Sequence, residues 1–107
     1  MILYLSASEE SMGCLLAKES EGAERAFYYL SRALLDTETR YSAIEKLCLS
    51  LYFACCKLRY YMLPLVTHVL SPANILKYIL SRPFLRNRVG KWAIAISEFT
   101  LVYTPGS

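Results

Sequence analysis

The chain opens with short apolar runs separated by polar turns. Ile2 to Ala7 is apolar, Ser8-Glu9-Glu10-Ser11 is polar, and Met12 to Ala17 is apolar again. Glu19-Ser20-Glu21-Gly22 supplies a second turn, after which Ala26 to Leu30 brings the β-prone aromatics Phe27, Tyr28 and Tyr29. This punctuation predicts a three-stranded antiparallel meander. The period then changes. Ile44, Leu47, Leu51, Cys55, Leu58 and Met62 recur at spacings of three and four, the buried stripe of an amphipathic helix. Ser42 and Glu45 form an S-x-x-E capping box at its start, and Pro64 ends it. A helix of about five turns is long enough to pack across a sheet. Leu65 to Leu70 reads as a fourth strand, and Ser71-Pro72 as the cap and first position of a helix over about Ala73 to Leu80. Arg82 to Gly90 reads as a basic loop, Trp92 to Ile96 as a short helix with Trp92 in the core, and Phe99 to Tyr103 as a last strand. The order predicts a mixed α/β sheet with helices on its faces.

Composition narrows the class. With 107 residues, 55% of them hydrophobic and 20% charged, the chain suits one globular domain rather than a disordered segment. A net charge of +3 gives no polybasic tail that would advertise nucleic acid or membrane. The amino end lacks the positive region and the apolar length of a signal peptide. Lys57, Arg59 and Pro64 interrupt the most apolar stretch, Leu47 to Leu70, well short of the roughly 20 residues a membrane span requires. Cys14, Cys48, Cys55 and Cys56 make no C-x-x-C pair and share the chain with one His, so they are expected to be reduced core thiols and not zinc ligands. An intracellular domain, neither secreted nor in a membrane, is the expectation.

Candidate chemistry is sparse. The four glycines are isolated, which excludes a phosphate-binding glycine loop. His68 and Asp36 allow a Ser-His-Asp triad on paper, but no serine stands on a strand-to-helix elbow, and His68 reads as an ordinary sheet residue. Two-metal phosphoryl chemistry needs several converging carboxylates around ions about 4 Å apart. Asp36 is the one Asp, and Glu9, Glu10, Glu19, Glu21, Glu24 and Glu38 fall mostly in turns. Glu45 stands on the first turn of the strongest helix, where it serves either as a helix cap or as a metal ligand.

Three blocks carry a resemblance: LYLSASEESMGCLLAKE, AFYYLSRALLDTETRYSAIEKLCLSLYFACCKLRYYM, and ILKYILSRP with GKWAIAISEFTLVY. Together they resemble the ribonuclease H-like domain of plant LTR-retrotransposon polyproteins of the gypsy type, which follows reverse transcriptase. The resemblance implies an α/β fold whose five-stranded mixed sheet runs in the order 3-2-1-4-5 with flanking helices. It also implies cleavage of RNA in an RNA–DNA hybrid by water activated between two Mg²⁺ ions that carboxylates hold. On the family pattern, Ser6 occupies the place of the first Asp, Glu45 matches the Glu of the Y-S-x-x-E-K block, and Pro72 takes the place of the third residue, an Asp. The fourth carboxylate lies on a later helix, beyond Ser107. The domain, residues 1–107, is thus expected to lack the family's last helix, which would leave an apolar sheet face uncovered.

The expected consequence is loss of metal. A serine is a poor Mg²⁺ ligand, proline offers none, and Asn74 nearby carries no charge. No cofactor is therefore expected to be held. Some plant elements resemble this pattern and keep a degenerate copy ahead of an intact ribonuclease H, where it looks like a structural tether. Lys77, Arg82, Arg86, Arg88 and Lys91, interleaved with Tyr78, Phe84 and Trp92, are the densest basic stretch. They suit either phosphate contacts with an RNA–DNA hybrid or a solvated loop. A degenerate structural module ranks first, followed by a module binding nucleic acid or the reverse transcriptase domain. An active hybrid nuclease that recruits Glu9 or Glu10 ranks last.

Overall fold

The structure is a computed structural model that describes residues 1–80 and 88–105. Its elements are β1 (Ile2–Ala7), β2 (Ser11–Ser20), β3 (Ala23–Ala33), α1 (Ala43–Lys57), α2 (Arg59–Met62), β4 (Thr67–Ser71), α3 (Ile75–Leu80), α4 (Arg88–Ile96) and β5 (Leu101–Pro105). The strands form one mixed sheet in the order β3-β2-β1-β4-β5. β1, β2 and β3 make the antiparallel meander, while β4 joins β1 and β5 joins β4 in parallel. The order and the mixture of directions match the expected α/β sheet.

The meander strands run further than the apolar runs suggest. β2 and β3 stay paired from Ser11↔Ala33 to Ser20↔Ala23, so the turn shrinks to Glu21 and Gly22. Both have positive φ, 55° and 80°, the backbone twist that a two-residue hairpin needs and glycine supplies without strain. The ladder absorbs one irregularity between Leu16 and Ala17, which leaves Phe27 unpaired opposite β2.

One face of the sheet carries the core. Leu3 and Leu5 of β1, Met12, Cys14 and Leu16 of β2, and Val69 of β4 are buried with Leu47, Cys48, Leu51, Ala54 and Cys55 of α1. The α1 start is as expected: Ser42 Oγ accepts the Glu45 N–H at 3.3 Å and the Glu45 carboxylate accepts the Ser42 N–H at 3.2 Å. Trp92 of α4 is buried against the rings of Tyr41 and Tyr52, with centroids 6.0 and 6.3 Å away.

Several boundaries differ from expectation. The long helix does not run on to Pro64. It ends at Leu58, whose φ of −112° and ψ of 22° leave the helical region, and α2 restarts at Arg59. The break keeps both Leu58 and Met62 in the core while Tyr60 and Tyr61 turn outward. β4 begins at Thr67 and not Leu65, because its ladder with β1 starts only at Ile2↔His68, and Leu65 and Val66 are exposed. Ser71 is the last residue of β4 and not a cap. Asn74 takes that role instead, its side-chain oxygen accepting the Lys77 N–H at 3.0 Å. Arg88 to Gly90 belong to α4 and not to a loop, while residues 82–87 of the expected basic loop lie outside the described residues. Phe99 is buried in the turn that closes α4, its N–H bonded to the Ile96 carbonyl, so β5 starts two residues later than expected.

The thiols divide. Cys14, Cys48 and Cys55 are buried and free, and burial pushes them up to about 11, about 12 and about 12 respectively. Cys56 is a free thiol too, but exposed, because the helical period carries it off the core face one residue after Cys55. No helix of the described residues is long and apolar enough to cross a membrane.

Candidate functional site

Parallel pairing of β1 with β4 sets the carboxy ends of the two strands side by side, and the first turn of α1 packs near them. Where the three meet there is a hollow of about 610 Å³. Leu5, Ser6, Ala7, Ser8 and Glu9 line it from β1 and the turn that follows, Ala43, Lys46 and Leu47 from α1, and Pro72 from the end of β4. This is also where ligands gather in open sheets with parallel strands. Two positions picked out from sequence, Ser6 and Pro72, are therefore brought to one place.

Glu45 is not among the lining residues. Residues 43, 46 and 47 share one helical face, and 45 lies off it. Its carboxylate is turned back to the Ser42 N–H in the capping box. Leu47, only 8% exposed, shares the hollow with Ser6 and Pro72. Lys46 does so too. It is 9% exposed, and its ammonium donates to the Glu9 backbone carbonyl at 3.3 Å. Sequence reasoning missed both residues. The signal that finds them is the face of α1 that Ala43 opens, which becomes readable once α1 is known to meet β1.

The donor set is short of acid. Ser6 Oγ donates to the Gly13 carbonyl at 3.4 Å, and Ser8 Oγ is engaged with Ser11 at 2.9 Å. Glu9 is the carboxylate-bearing residue of the lining, and it is its backbone carbonyl that the Lys46 ammonium meets. Among the described residues no three His, Cys, Asp or Glu side chains stand together as a metal site. A cage of hard oxygen ligands for paired Mg²⁺ ions is a poor match to these residues. Glu10, the other acid considered for recruitment, is exposed in the β1–β2 turn and does not line the hollow. His68, exposed on β4, and Asp36, exposed in the β3–α1 connection, do not line it either.

The basic candidates lie elsewhere. Lys77 is exposed on α3 and Lys91 on α4, two helices that pack together. Arg88 opens α4; its side chain, like Arg82, Arg86 and Phe84, lies outside what is described. Trp92, expected in the core, is buried there and offers no stacking platform.

With the geometry in place, comparison with known proteins decides the family. RNase H-like domains found in reverse transcriptase match residues 1–99. The chain belongs to that family. It is also 30% identical over 107 residues to the retrovirus-related Pol polyprotein from transposon opus of Drosophila melanogaster, a match over 97% of this chain and 11% of that protein's length. The RNase H-like fold is shared with a foamy viral protease-reverse transcriptase solved in complex with an RNA/DNA hybrid. There the TM-score is 0.76 at 20% identity, over 99% of this chain and 15% of that one. It is shared as well with LC11-RNase H1, also solved with an RNA/DNA hybrid, at a TM-score of 0.63 and 12% identity over 98% of this chain and 83% of that one. The protein is thus an RNase H-like domain of the kind carried by retroviral and retrotransposon reverse transcriptases, and it spans about a tenth of the curated polyprotein it matches.

Proposed function

We propose that this RNase H-like domain is catalytically degenerate and serves as a structural tether within a reverse transcriptase polyprotein, one of the plant gypsy type. The observation that carries the reading is the lining of the hollow at the β1–β4 strand ends. A serine, a leucine, a proline and a buried lysine stand where a metal-dependent nuclease needs a ring of carboxylates. Lys46 adds positive charge at that place, which opposes a divalent ion. Glu45, the family acid that remains by sequence, is committed to capping α1. Without bound Mg²⁺ the domain has no means of lowering the pKa of an attacking water, and no cofactor enters its role. A scaffold needs only a stable fold, which the core supplies.

A second reading, binding of an RNA–DNA hybrid or of the reverse transcriptase domain, draws on the exposed Lys77 and Lys91 on adjacent helices, with Arg82, Arg86 and Arg88 between them in sequence. Solved relatives that hold RNA/DNA hybrids favour it as the runner-up. Hydrolysis by this copy ranks below both.

The deciding experiment is cleavage of a labelled RNA–DNA hybrid in Mg²⁺ or Mn²⁺ by the purified chain and by Glu45→Gln, with circular dichroism to verify folding. Gln can keep the capping bond, so the variant is expected to fold. Neither protein is expected to cut. Metal-dependent cleavage by the folded wild-type chain would overturn the degenerate reading, whether or not Glu45→Gln abolishes it. Binding of uncut hybrid that weakens steeply with salt would move the second reading to first place.

A further inference from the structure

The sheet has two faces, and the helices use one of them. α1, α3 and α4 bury their apolar residues with Leu3, Leu5, Met12, Cys14 and Leu16. Alternation along the strands turns Tyr4, Leu15, Tyr29 and Leu70 to the opposite face, where the ladder sets them side by side in one row. Ile2, His68 and Val102 form the next row. The apolar members of both rows are neither in the core nor packed against it, and Tyr29 and Val102 are 70% and 42% exposed. The strip is two residues deep and crosses the whole sheet, about 24 Å at ordinary strand spacing. Exposed apolar patches of a few hundred Å² mark interaction sites.

One border of the strip is acidic. Glu24 lies on this face, since the Tyr4 phenol donates to its carboxylate at 2.6 Å, and Glu19 is its cross-strand neighbour. Glu19 and His68 are both exposed, and neither belongs to an ion pair of the described residues. In the order β3-β2-β1-β4-β5, the central strand is β1. A two-fold axis along β1 therefore lays β2 of one copy over β4 of another and β3 over β5, so the apolar strip covers itself. Ala17 and His68 share one level, each paired with Ile2, and Glu19 stands two residues beyond Ala17. That axis brings Glu19 to His68 of the second copy, twice, a carboxylate meeting an imidazole N–H. A two-fold across the strands would leave Glu19 opposite Gly13 instead. We infer that the domain self-associates as a two-fold dimer, the bare sheet face of one copy packed on that of another with β1 over β1 and two Glu19–His68 pairs between them. Sheets so packed lie about 10 Å apart. The strip is smaller than the roughly 800 Å² each partner gives to a standard interface, so dissociation is expected in the micromolar range.

Analytical ultracentrifugation of the whole chain, from low micromolar to several hundred micromolar at fixed ionic strength, tests it. A monomer–dimer equilibrium is expected. Leu15→Lys and Val102→Lys each place an ammonium in the strip and are expected to weaken the dimer at least about tenfold. Circular dichroism verifies folding, and Val102, exposed on the edge strand β5, serves if Leu15→Lys fails to fold. Glu19→Lys and His68→Glu should each weaken association about fivefold, and the two together should restore it, a rescue that a general loss of structure cannot produce. A chain that stays monomeric throughout, or a dimer of unchanged affinity in a folded lysine variant, overturns the inference. Aggregates that grow without limit overturn it too, because a two-fold contact closes. A double exchange that fails to restore association overturns the pairing and with it the proposed arrangement.

Discussion

Ser50 and Gly13 tie helix to sheet: Ser50 Oγ, fully buried on α1, donates a 2.6 Å hydrogen bond to the Gly13 carbonyl in β2. The same carbonyl receives the longer bond from Ser6 Oγ, so the strand end that shapes the hollow is referred directly to α1. Close approach makes this possible. A Cβ at position 13 would lie 3.0 Å from the Leu30 carbonyl oxygen and 3.3 Å from Ser6 Oγ.

Two substitutions probe that junction. Gly13→Ala must push the β3 backbone aside, since the near atom at Leu30 belongs to main chain and cannot swing away. A loss of about 1–3 kcal/mol is expected. Ser50→Ala removes the donor of this buried 2.6 Å bond between α1 and β2, for a loss of about 1–2 kcal/mol. Urea denaturation followed by circular dichroism checks both, with lower midpoints and an unchanged slope as the expected result. Midpoints equal to wild type would mean that the junction contributes nothing.

Arg32 and Glu38 form a part-buried ion pair, joining the end of β3 to the turn before α1. The guanidinium meets the carboxylate at 3.0 and 3.1 Å, and the Leu35 N–H donates to the same carboxylate at 2.8 Å. Burial by itself would raise the Glu38 carboxyl, but the Arg32 bonds and charge, helped by Leu35, hold it below the ordinary 4.5. A carboxyl lowered by folding contributes stability above its unfolded value and loses it as pH falls through its folded value. The pair should therefore contribute in full at pH 7 and fade below about pH 4.5. Glu38→Gln is expected to cost about 1–3 kcal/mol at pH 7. Its deficit should narrow as the pH is lowered towards 3, measured as the difference in unfolding free energy between variant and wild type. A deficit independent of pH would contradict this assignment.

What was legible in the sequence is what local spacing encodes. Ser42 and Glu45 cap α1 within one turn, and the 3-4 repeat from Leu47 to Met62 finds the buried stripe, because neither depends on where the helix docks. The meander was readable from its turns, though not its full length, since β-pairing carries polar residues such as Lys18 and Arg25 into the ladder. Resemblance placed Ser6 and Pro72, and the parallel β1–β4 pair does bring them together. It could not say that Glu45 turns away while Lys46 and Leu47 turn in, for that is decided by which face of α1 meets β1. The Arg32–Glu38 pair escaped for a similar reason. Glu38 looked like one more turn acid until the chain reversal after β3 buried it.

Thr67, the first residue of β4, is fully buried, and its hydroxyl has no hydrogen-bond partner among the described residues. An unpaired buried hydroxyl has given up its water and received nothing in return. Its backbone, by contrast, is well placed: the N–H donates to the Thr100 carbonyl at 2.9 Å, and the residue pairs with Leu101 of β5. Valine keeps the branched shape, suits the strand backbone and removes the orphaned oxygen. Thr67→Val is therefore expected to stabilise the domain by about 1 kcal/mol, a rise in Tm of about 4 °C for a chain of this size. Thr67→Ser keeps the hydroxyl and deletes a buried methyl, so it should destabilise by about 1 kcal/mol. Paired thermal melts decide the matter. A Thr67→Val variant that melts below wild type would mean that the hydroxyl is hydrogen-bonded after all, and that β4 gains its inward-facing anchor from a polar contact rather than from packing alone.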